Sequence, residues 1–368
     1  MAAPEPKTRG WVLGRVFGAR IVLHPSVLIL IGLIAFLMTA DDEGSIGSAL
    51  AEGLLFAGLL VASILVHELS HAAVARLFGR EVKEIVLTLI GGHTALDSKG
   101  LTPAASGVTA LAGPIGSALL GLAGMAALTL DLSPGAYTIV RGIAVVNIVL
   151  AIFNAFPGAP LDGGRVVEAI VWAITGKRTT GMRASAWGGR IVVIVCLGYV
   201  VVTMVRSEGD PDFVGLIWSF LILSILWSAA GATLRAARII DKVEGLSVAL
   251  AMRGAVGVRY DVPLGEALAL CQAADCEEVV VLSAESEPAG HFALAQARAV
   301  PEERLGSTEM SAVTVPVPRG AAVEMGATGQ GLLETIREWW GKADVLIVQD
   351  EGEVVGVVRL ADMVARLG

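Results

Sequence analysis

The stretch that decides the fold is Val66-His67-Glu68-Leu69-Ser70-His71, which follows the apolar run 54–65, LLFAGLLVASIL. Histidines four positions apart lie on one face of a helix, about 5.4 Å apart along its axis, and can share one Zn²⁺. Glu68 is then a candidate general base beside the metal. An ionisable side chain within a membrane-length apolar segment costs about 2.5–3.5 kcal/mol or more. Three of them in five positions therefore favour a functional site over a polar patch satisfied by neighbouring helices.

The composition is that of a membrane protein with several spans. Of the 368 residues, 55% are hydrophobic and 17% charged, and the mean hydropathy is +0.72. Residues 243–368 hold 19 Asp and Glu against 9 Lys and Arg, a charge of −10, which leaves +2 for residues 1–242 from the total of −8. A basic membrane half followed by an acidic soluble half argues against nucleic acid as a partner.

Windows of about 20 apolar residues predict six transmembrane helices. They cover residues 21–39, 49–77, 101–130, 136–156, 184–205 and 213–236. Basic residues such as Arg76 and Arg80 flank one set of ends, acidic residues the other, and Arg141 and Arg206 are the basic residues on the acidic side. Because cations are biased to the cytoplasmic side, we expect a multi-pass protein of the cell membrane with both termini in the cytoplasm. The metal would then lie in the inner leaflet.

Residues 81–96, between the second and third spans, predict a β-hairpin. The segment is rich in β-branched residues and carries the turn signal Gly91-Gly92. Two interpretations stay open. The hairpin offers a strand edge that pairs with an extended peptide, or it only caps the helices.

The third metal ligand is expected beyond the fourth span, where Asn154-Ala155-Phe156-Pro157 is followed by Leu161-Asp162-Gly163-Gly164. By the predicted topology this end is also cytoplasmic, so Asp162 can reach the depth of His67 and His71. Three protein ligands leave the fourth position to water, as catalytic zinc sites require. The alternative is that Asp162 caps the helix predicted at 163–175.

Together these two motifs resemble the site-2 protease family of intramembrane zinc metalloproteases, over about residues 11–240. The resemblance implies that His67, His71 and Asp162 hold one zinc ion, that Glu68 activates water, and that the hairpin helps to present substrate. It also implies that Asn154 contacts the scissile region. The Ala112-Gly113-Pro114 segment of the family usually continues to an asparagine, where this chain has Ser117.

The acidic half reads as a soluble α/β domain with a twofold repeat. Strands are predicted at 278–282 and 344–348, each followed by a second strand at 292–294 or 354–358, with helices at 264–273 and 331–340. The repeat resembles a tandem CBS-domain pair, which implies a possible adenine nucleotide and a homodimer. However, Arg359 stands where the nucleotide-binding element has a hydroxyl, and Asp362 is expected to cap the last helix rather than hold a ribose.

Three cysteines, Cys196, Cys271 and Cys276, form no disulfide framework and no C-x-x-C site. We expect reduced thiols, mostly buried.

The sequence thus predicts a polytopic α-helical membrane protein with six transmembrane helices, a membrane-associated β-hairpin and a C-terminal soluble α/β CBS-pair domain. Residues 1–242 form the protease domain and 243–368 the regulatory or dimerisation domain. The predicted function is zinc-dependent cleavage of membrane-associated proteins near the cytoplasmic face. The alternatives are a metal transporter or sensor gated by the CBS-like half, and a catalytically silent scaffold that binds membrane proteins.

Overall fold

The computed structural model describes residues 9–40, 46–89, 91–97, 100–206 and 213–366. The chain divides into two compact units, Met1–Ala237 and Arg238–Gly368. Each unit has its own sheet and its own packing, and the two are described in turn.

Long apolar helices form most of the first unit. Within the described ranges, five of them are long and apolar enough to cross a membrane. These are α2 (Ile46–Leu77), α3 (Pro103–Ala127), α4 (Pro134–Asn154), α6 (Arg178–Arg206) and α7 (Phe213–Glu244), while α1 (Val27–Ala40) and α5 (Asp162–Thr175) are shorter. Side chains such as Ile191, Ile194 and Phe220 are exposed on their outer faces, as expected where lipid is the solvent.

The sequence predicts six spans, and the structure supports five. The first predicted span, 21–39, is part strand and part helix, since Ala19–Leu23 is extended and the helix begins only at Val27. α1 has 14 residues, about 21 Å at the helical rise, against about 30 Å for the hydrocarbon core. A window of about 20 residues did not separate the strand from the helix because both are mostly apolar and only His24-Pro25-Ser26 lies between them.

A four-stranded sheet packs beside α2. It consists of β1 (Trp11–Val16), β2 (Ala19–Leu23), β3 (Val82–Thr88) and β4 (Gly91–Leu96), in that spatial order. β3 and β4 pair antiparallel from Val82 opposite Leu96 to Thr88 opposite Gly91, so the predicted hairpin is present. Among the described strands, β4 has a partner on one side only.

The second unit contains one seven-stranded sheet in the order β8-β7-β6-β5-β11-β10-β9. A strand–helix–strand–strand motif occurs twice, which confirms the predicted repeat. Its elements are β5 (Arg253–Arg259), α8 (Leu264–Ala273), β6 (Glu278–Leu282) and β7 (Pro288–Ala293), then β9 (Ala322–Glu324), α11 (Gly329–Trp339), β10 (Val345–Asp350) and β11 (Glu353–Arg359). The short elements are α9 (Leu294–Ala297), α10 (Glu302–Leu305), β8 (Val315–Pro316) and α12 (Leu360–Ala365).

The cysteines of this unit differ from the sequence expectation. Cys271 and Cys276 are joined by a disulfide, with their Cα atoms 5.2 Å apart, so the expectation of reduced thiols is wrong for this pair. α8 ends between them and the chain turns into β6, which brings the two positions together. Cys196 is a free thiol.

Candidate metal centre

The two histidines of the H-E-x-x-H motif lie on the buried face of α2. His67, Glu68 and His71 each expose 6% or less of their surface. The Nε2 atoms of His67 and His71 are 3.2 Å apart, and the two rings meet edge to face with centroids 4.9 Å apart. One helical turn therefore aims two imidazole nitrogens at the same point.

Asp162 reaches that point from a distant part of the chain. Its Oδ2 lies 3.1 Å from His67 Nε2 and 3.3 Å from His71 Nε2. It is the first residue of α5, where Leu161 holds the N-cap position, so Asp162 is not the helix cap. A Cβ added at Gly163 would overlap the backbone carbonyls of Ala155 and Phe156. The glycine thus allows α5 to begin directly against the end of α4, which sets the position of the carboxylate.

The geometry of these three atoms fits zinc. Zn–N and Zn–O bonds of about 2.0–2.2 Å in a tetrahedral site place neighbouring ligand atoms about 3.3–3.5 Å apart. The three observed separations are 3.1, 3.2 and 3.3 Å. Two imidazoles and one carboxylate are also the donor set of a catalytic zinc site with an open fourth position.

Two contacts from α3 hold the histidines in the tautomer that a metal needs. His71 Nδ1 lies 2.7 Å from the backbone carbonyl of Thr109. A carbonyl only accepts, so Nδ1–H donates and the lone pair is on Nε2, which faces Asp162. His67 Nδ1 lies 2.9 Å from Ser117 Oγ, which allows the same arrangement. Ser117, where the family pattern has asparagine, therefore still offers a hydrogen-bond partner to the first histidine.

The side chain of Glu68, on α2, faces β4. Its Oε2 accepts a hydrogen bond of 2.7 Å from the hydroxyl of Thr94. A Cβ added at Gly92 would come within 2.9 Å of Glu68 Oε1, so the start of β4 runs directly past the carboxylate. The predicted hairpin and the predicted base are in contact.

Gly113 of α3, named above only as part of the Ala112-Gly113-Pro114 segment, is also a residue of the site. A Cβ at this position would overlap His71 Nε2 and lie 2.6 Å from His67 Nε2. Only a glycine lets α3 pass this close to the two histidine ligand atoms. Small-residue motifs are common in membrane helices, and nothing in the local sequence separates this one from ordinary packing.

Asn154 is the predicted site residue that the structure does not bring into a contact with the others. It is the last residue of α4, and its Nδ2 donates to the Leu150 carbonyl at 3.0 Å. Among the described residues, this is the hydrogen bond that its side chain makes.

Comparison with known proteins agrees with this geometry. Residues 29–161 match the family model described as Peptidase M50B-like, and residues 132–199 match Peptidase family M50. Rip3 of Mycobacterium tuberculosis, which is named as a zinc metalloprotease, is 31% identical over 96% of this chain and 92% of its own length.

Solved structures match each region separately. The site-2 protease from Methanocaldococcus jannaschii is 22% identical over 61% of this chain and 95% of its own, with a TM-score of 0.45. The CBS domain of a bacterial CNNM/CorC family Mg²⁺ transporter, solved with ATP, is 21% identical over 35% of this chain and 92% of its own, with a TM-score of 0.26. The extent of the match to Rip3 decides the assignment: this chain is a metalloprotease of peptidase family M50, the site-2 protease family.

Proposed function

We propose that the chain is an intramembrane endopeptidase in which His67, His71 and Asp162 hold one zinc ion and Glu68 is the general base. The observation that carries this assignment is the convergence of three ligand atoms, from α2 and α5, to mutual distances of 3.1–3.3 Å. The substrate class is membrane-associated protein. The transporter or sensor alternative would need ligands spread along a path, whereas these lie at one point.

The reaction is hydrolysis of a peptide bond. Zinc at this site would supply Lewis-acid polarisation of the scissile carbonyl and make water a better nucleophile near neutral pH. Glu68 removes a proton from the attacking water and later delivers it to the leaving amine. The hydroxyl of Thr94 orients the Glu68 carboxylate through the 2.7 Å hydrogen bond. Asn154 is proposed to turn toward the scissile region when substrate is bound.

Substrate is proposed to bind as an extended strand along β4. A helical substrate must unwind first, because its carbonyls are occupied by hydrogen bonds within the helix. β4 supports this role since it has one strand neighbour, β3, among the described strands, and since Gly92 lies against Glu68. Addition to its free edge would satisfy the backbone groups of the unwound segment.

The proposed setting is the cell membrane, with several spans, both termini in the cytoplasm and cleavage near the cytoplasmic face. The charges at the ends of the apolar segments support this orientation. Residues 1–242 would form the protease domain and 243–368 a cytoplasmic CBS-like domain.

For the CBS-like domain we propose dimerisation or substrate docking rather than control by an adenine nucleotide. Arg359, at the hydroxyl position of the usual element, pairs with Glu278 at 3.4 Å. Asp362, which the sequence suggested as a cap, lies in the first turn of α12 and 4.0 Å from Arg253, with Arg359 at the N-cap position. An overall acidic domain also disfavours polyphosphates.

The test is the Glu68→Gln variant, with Glu52→Gln on the same helix as the matched control. Each protein is expressed with single-span membrane proteins tagged at both ends, and new termini are identified by mass spectrometry. We expect both variants to retain one zinc ion per chain. Cleavage should fall at least about 10²-fold in Glu68→Gln and stay unchanged in Glu52→Gln. Undiminished cleavage by Glu68→Gln would show that Glu68 is not the general base.

A further inference from the structure

A positively charged cavity of about 200 Å³ lies beside the metal centre in the first unit. Its charged lining residues are Arg80, Arg165, Arg178 and Glu168. Glu168 Oε1 accepts a 2.9 Å hydrogen bond from Arg178 Nε, so this pair is neutral. Arg80 and Arg165 then contribute two positive charges, of which the carboxylate of Asp97 near Arg80 offsets a part.

Two buried donor groups on residues that line this cavity have no hydrogen-bond partner among the described residues. Arg80 exposes 9% and Thr109 3% of their surface, and within the described ranges neither Arg80 Nε nor Thr109 Oγ1 makes a hydrogen bond. A buried donor without an acceptor costs about as much as a lost hydrogen bond. Both groups can donate, and a carboxylate carries two oxygens that accept. Together with the positive charges of Arg80 and Arg165, these donors favour an anion over a cation in the cavity.

The arginines also repel one another. The pKa of Arg80 is lowered by burial and then by the positive charges of Arg165 and Arg178. Arg80 is fixed in place because its guanidinium donates to the Asp97 carbonyl at 2.7 Å. Arg165 is exposed and makes no ion pair or hydrogen bond with its side chain to any described residue. An anion between these groups would relieve the repulsion.

The cavity is joined to the catalytic groups on two sides. Thr94, in its lining, donates to Glu68, and the carbonyl of Thr109 accepts from His71. Leu96, also in the lining, follows Thr94 by two residues on β4, about 7 Å along a strand. A peptide that pairs with β4 and presents its scissile bond near Glu68 would therefore place a side chain two or three positions away in the cavity.

We propose that this cavity is a specificity site for an acidic side chain of the substrate, Asp or Glu, two or three residues from the scissile bond. Arg80, Arg165 and Thr109 bind the carboxylate. This inference rests on the proposed function because it takes the occupant to be an extended peptide on β4. A lipid phosphate is the competing anion, and a position lined by β4 and adjoining Glu68 favours the peptide.

The test uses zinc-loaded, full-length Glu68→Gln protein, which binds without turnover. The probes are apolar nonapeptides, acetylated, amidated and labelled with a neutral fluorophore, in which one Glu is moved along the sequence, each with a Gln-matched partner. We expect one position at which the Glu peptide binds at least about tenfold more tightly than its Gln partner. Adding Arg165→Gln should reduce that ratio below about threefold, whereas the control Arg141→Gln should preserve it.

Arg165 is the residue to change because it is exposed and its loss should leave the fold intact, unlike loss of buried Arg80. Equal binding of Glu and Gln peptides at every position, or absence of binding by all of them, would overturn the proposal. So would a ratio that survives Arg165→Gln. The lipid alternative is tested by comparing the stability of the protein in phosphatidylglycerol and phosphatidylcholine nanodiscs. If phosphatidylglycerol stabilises the protein more, and this difference depends on Arg165, while Glu and Gln peptides bind equally, then the site binds lipid and the proposal is wrong. If the protein prefers Glu peptides but cleaves no substrate, the proposed proteolytic function is wrong and the acidic-side-chain site stands.

Discussion

Two buried clusters in this molecule contain a carboxylate and histidine, and they differ in what balances the charge. In the second unit, Glu278 is 1% exposed and accepts from His291 Nδ1 at 3.0 Å and from Arg359 at 3.4 Å. In the first unit, Asp162 faces two imidazoles whose outer nitrogens are already bonded. The Arg359 guanidinium balances the charge of Glu278 from within the protein, whereas a zinc ion is proposed to balance the charge of Asp162. Composition alone does not distinguish a structural ion pair from a metal site; the convergence of lone pairs does.

The largest expected difference between the clusters is in zinc content. Asp162→Ala should reduce bound zinc from about one ion per chain to less than a tenth, because one of three protein ligands is lost. Glu278→Ala should leave zinc unchanged. Elemental analysis of the purified full-length proteins measures both. Retention of zinc by Asp162→Ala would place the metal elsewhere.

A methyl group added beside the metal site should have the next largest effect. Gly113→Ala places a Cβ onto the Nε2 atoms of both histidines, so zinc affinity should fall by about 100-fold or more. The control is Gly198→Ala in α6, where an added Cβ meets nothing within 4 Å. Competition with a chelator of known affinity gives both values. Equal affinities would mean that α3 does not pack against the metal ligands.

Removal of the hydroxyl behind His67 should have a moderate effect. Ser117→Ala deletes the 2.9 Å contact to Nδ1, and loss of such outer contacts lowers metal affinity by about 10–100-fold. Ser224→Ala in α7 removes a hydroxyl that bonds the Leu221 carbonyl within its own helix and should leave affinity unchanged. Titration with the same chelator measures both zinc affinities. Identical curves for the two variants would show that Ser117 does not support zinc binding.

Substitutions in the cluster of Glu278, His291 and Arg359 should change the stability of the second unit and leave zinc binding unchanged. Glu278→Gln should destabilise β6 and β7 locally by about 1–3 kcal/mol, the usual cost of unsatisfied buried groups. Hydrogen exchange of peptides from these strands in the full-length protein reports that change. Unchanged protection would show that the cluster contributes nothing to the second unit.

The smallest expected effect is a pH dependence of this cluster. Burial alone would raise the pKa of Glu278, but the hydrogen bond and charge of His291, with Arg359, lower it overall. The stabilisation is therefore complete above the ordinary glutamate value of about 4.3 and is lost as the pH falls through the lower folded value. Calorimetry at pH 7 and at pH 3, well below the ordinary glutamate value, should show a larger loss of stability for the native protein than for Glu278→Gln. Parallel losses would contradict the assignment.

The metal ligands could be predicted from the sequence because they have helical spacing or are isolated acidic residues beside apolar segments. His67 and His71 share a helical face, and Asp162 is an acidic residue beside paired glycines after an apolar span, so their meeting could be predicted. Thr109, Gly113 and Ser117 could not, because small residues in α3 read as packing and their contacts depend on how α3 crosses α2. β2, and with it its partner β1, was missed because a window of about 20 residues averages the end of β2, the short segment His24-Pro25-Ser26 and α1 into one apolar segment.

The measurement that tests the central claim most directly is zinc K-edge X-ray absorption on the purified full-length protein. Two imidazole nitrogens and one carboxylate oxygen at about 2.0–2.2 Å, with one further light ligand, are expected, and Asp162→Asn should change that first shell. A shell containing sulfur, or one that is identical in wild type and Asp162→Asn, would contradict a metal held by His67, His71 and Asp162.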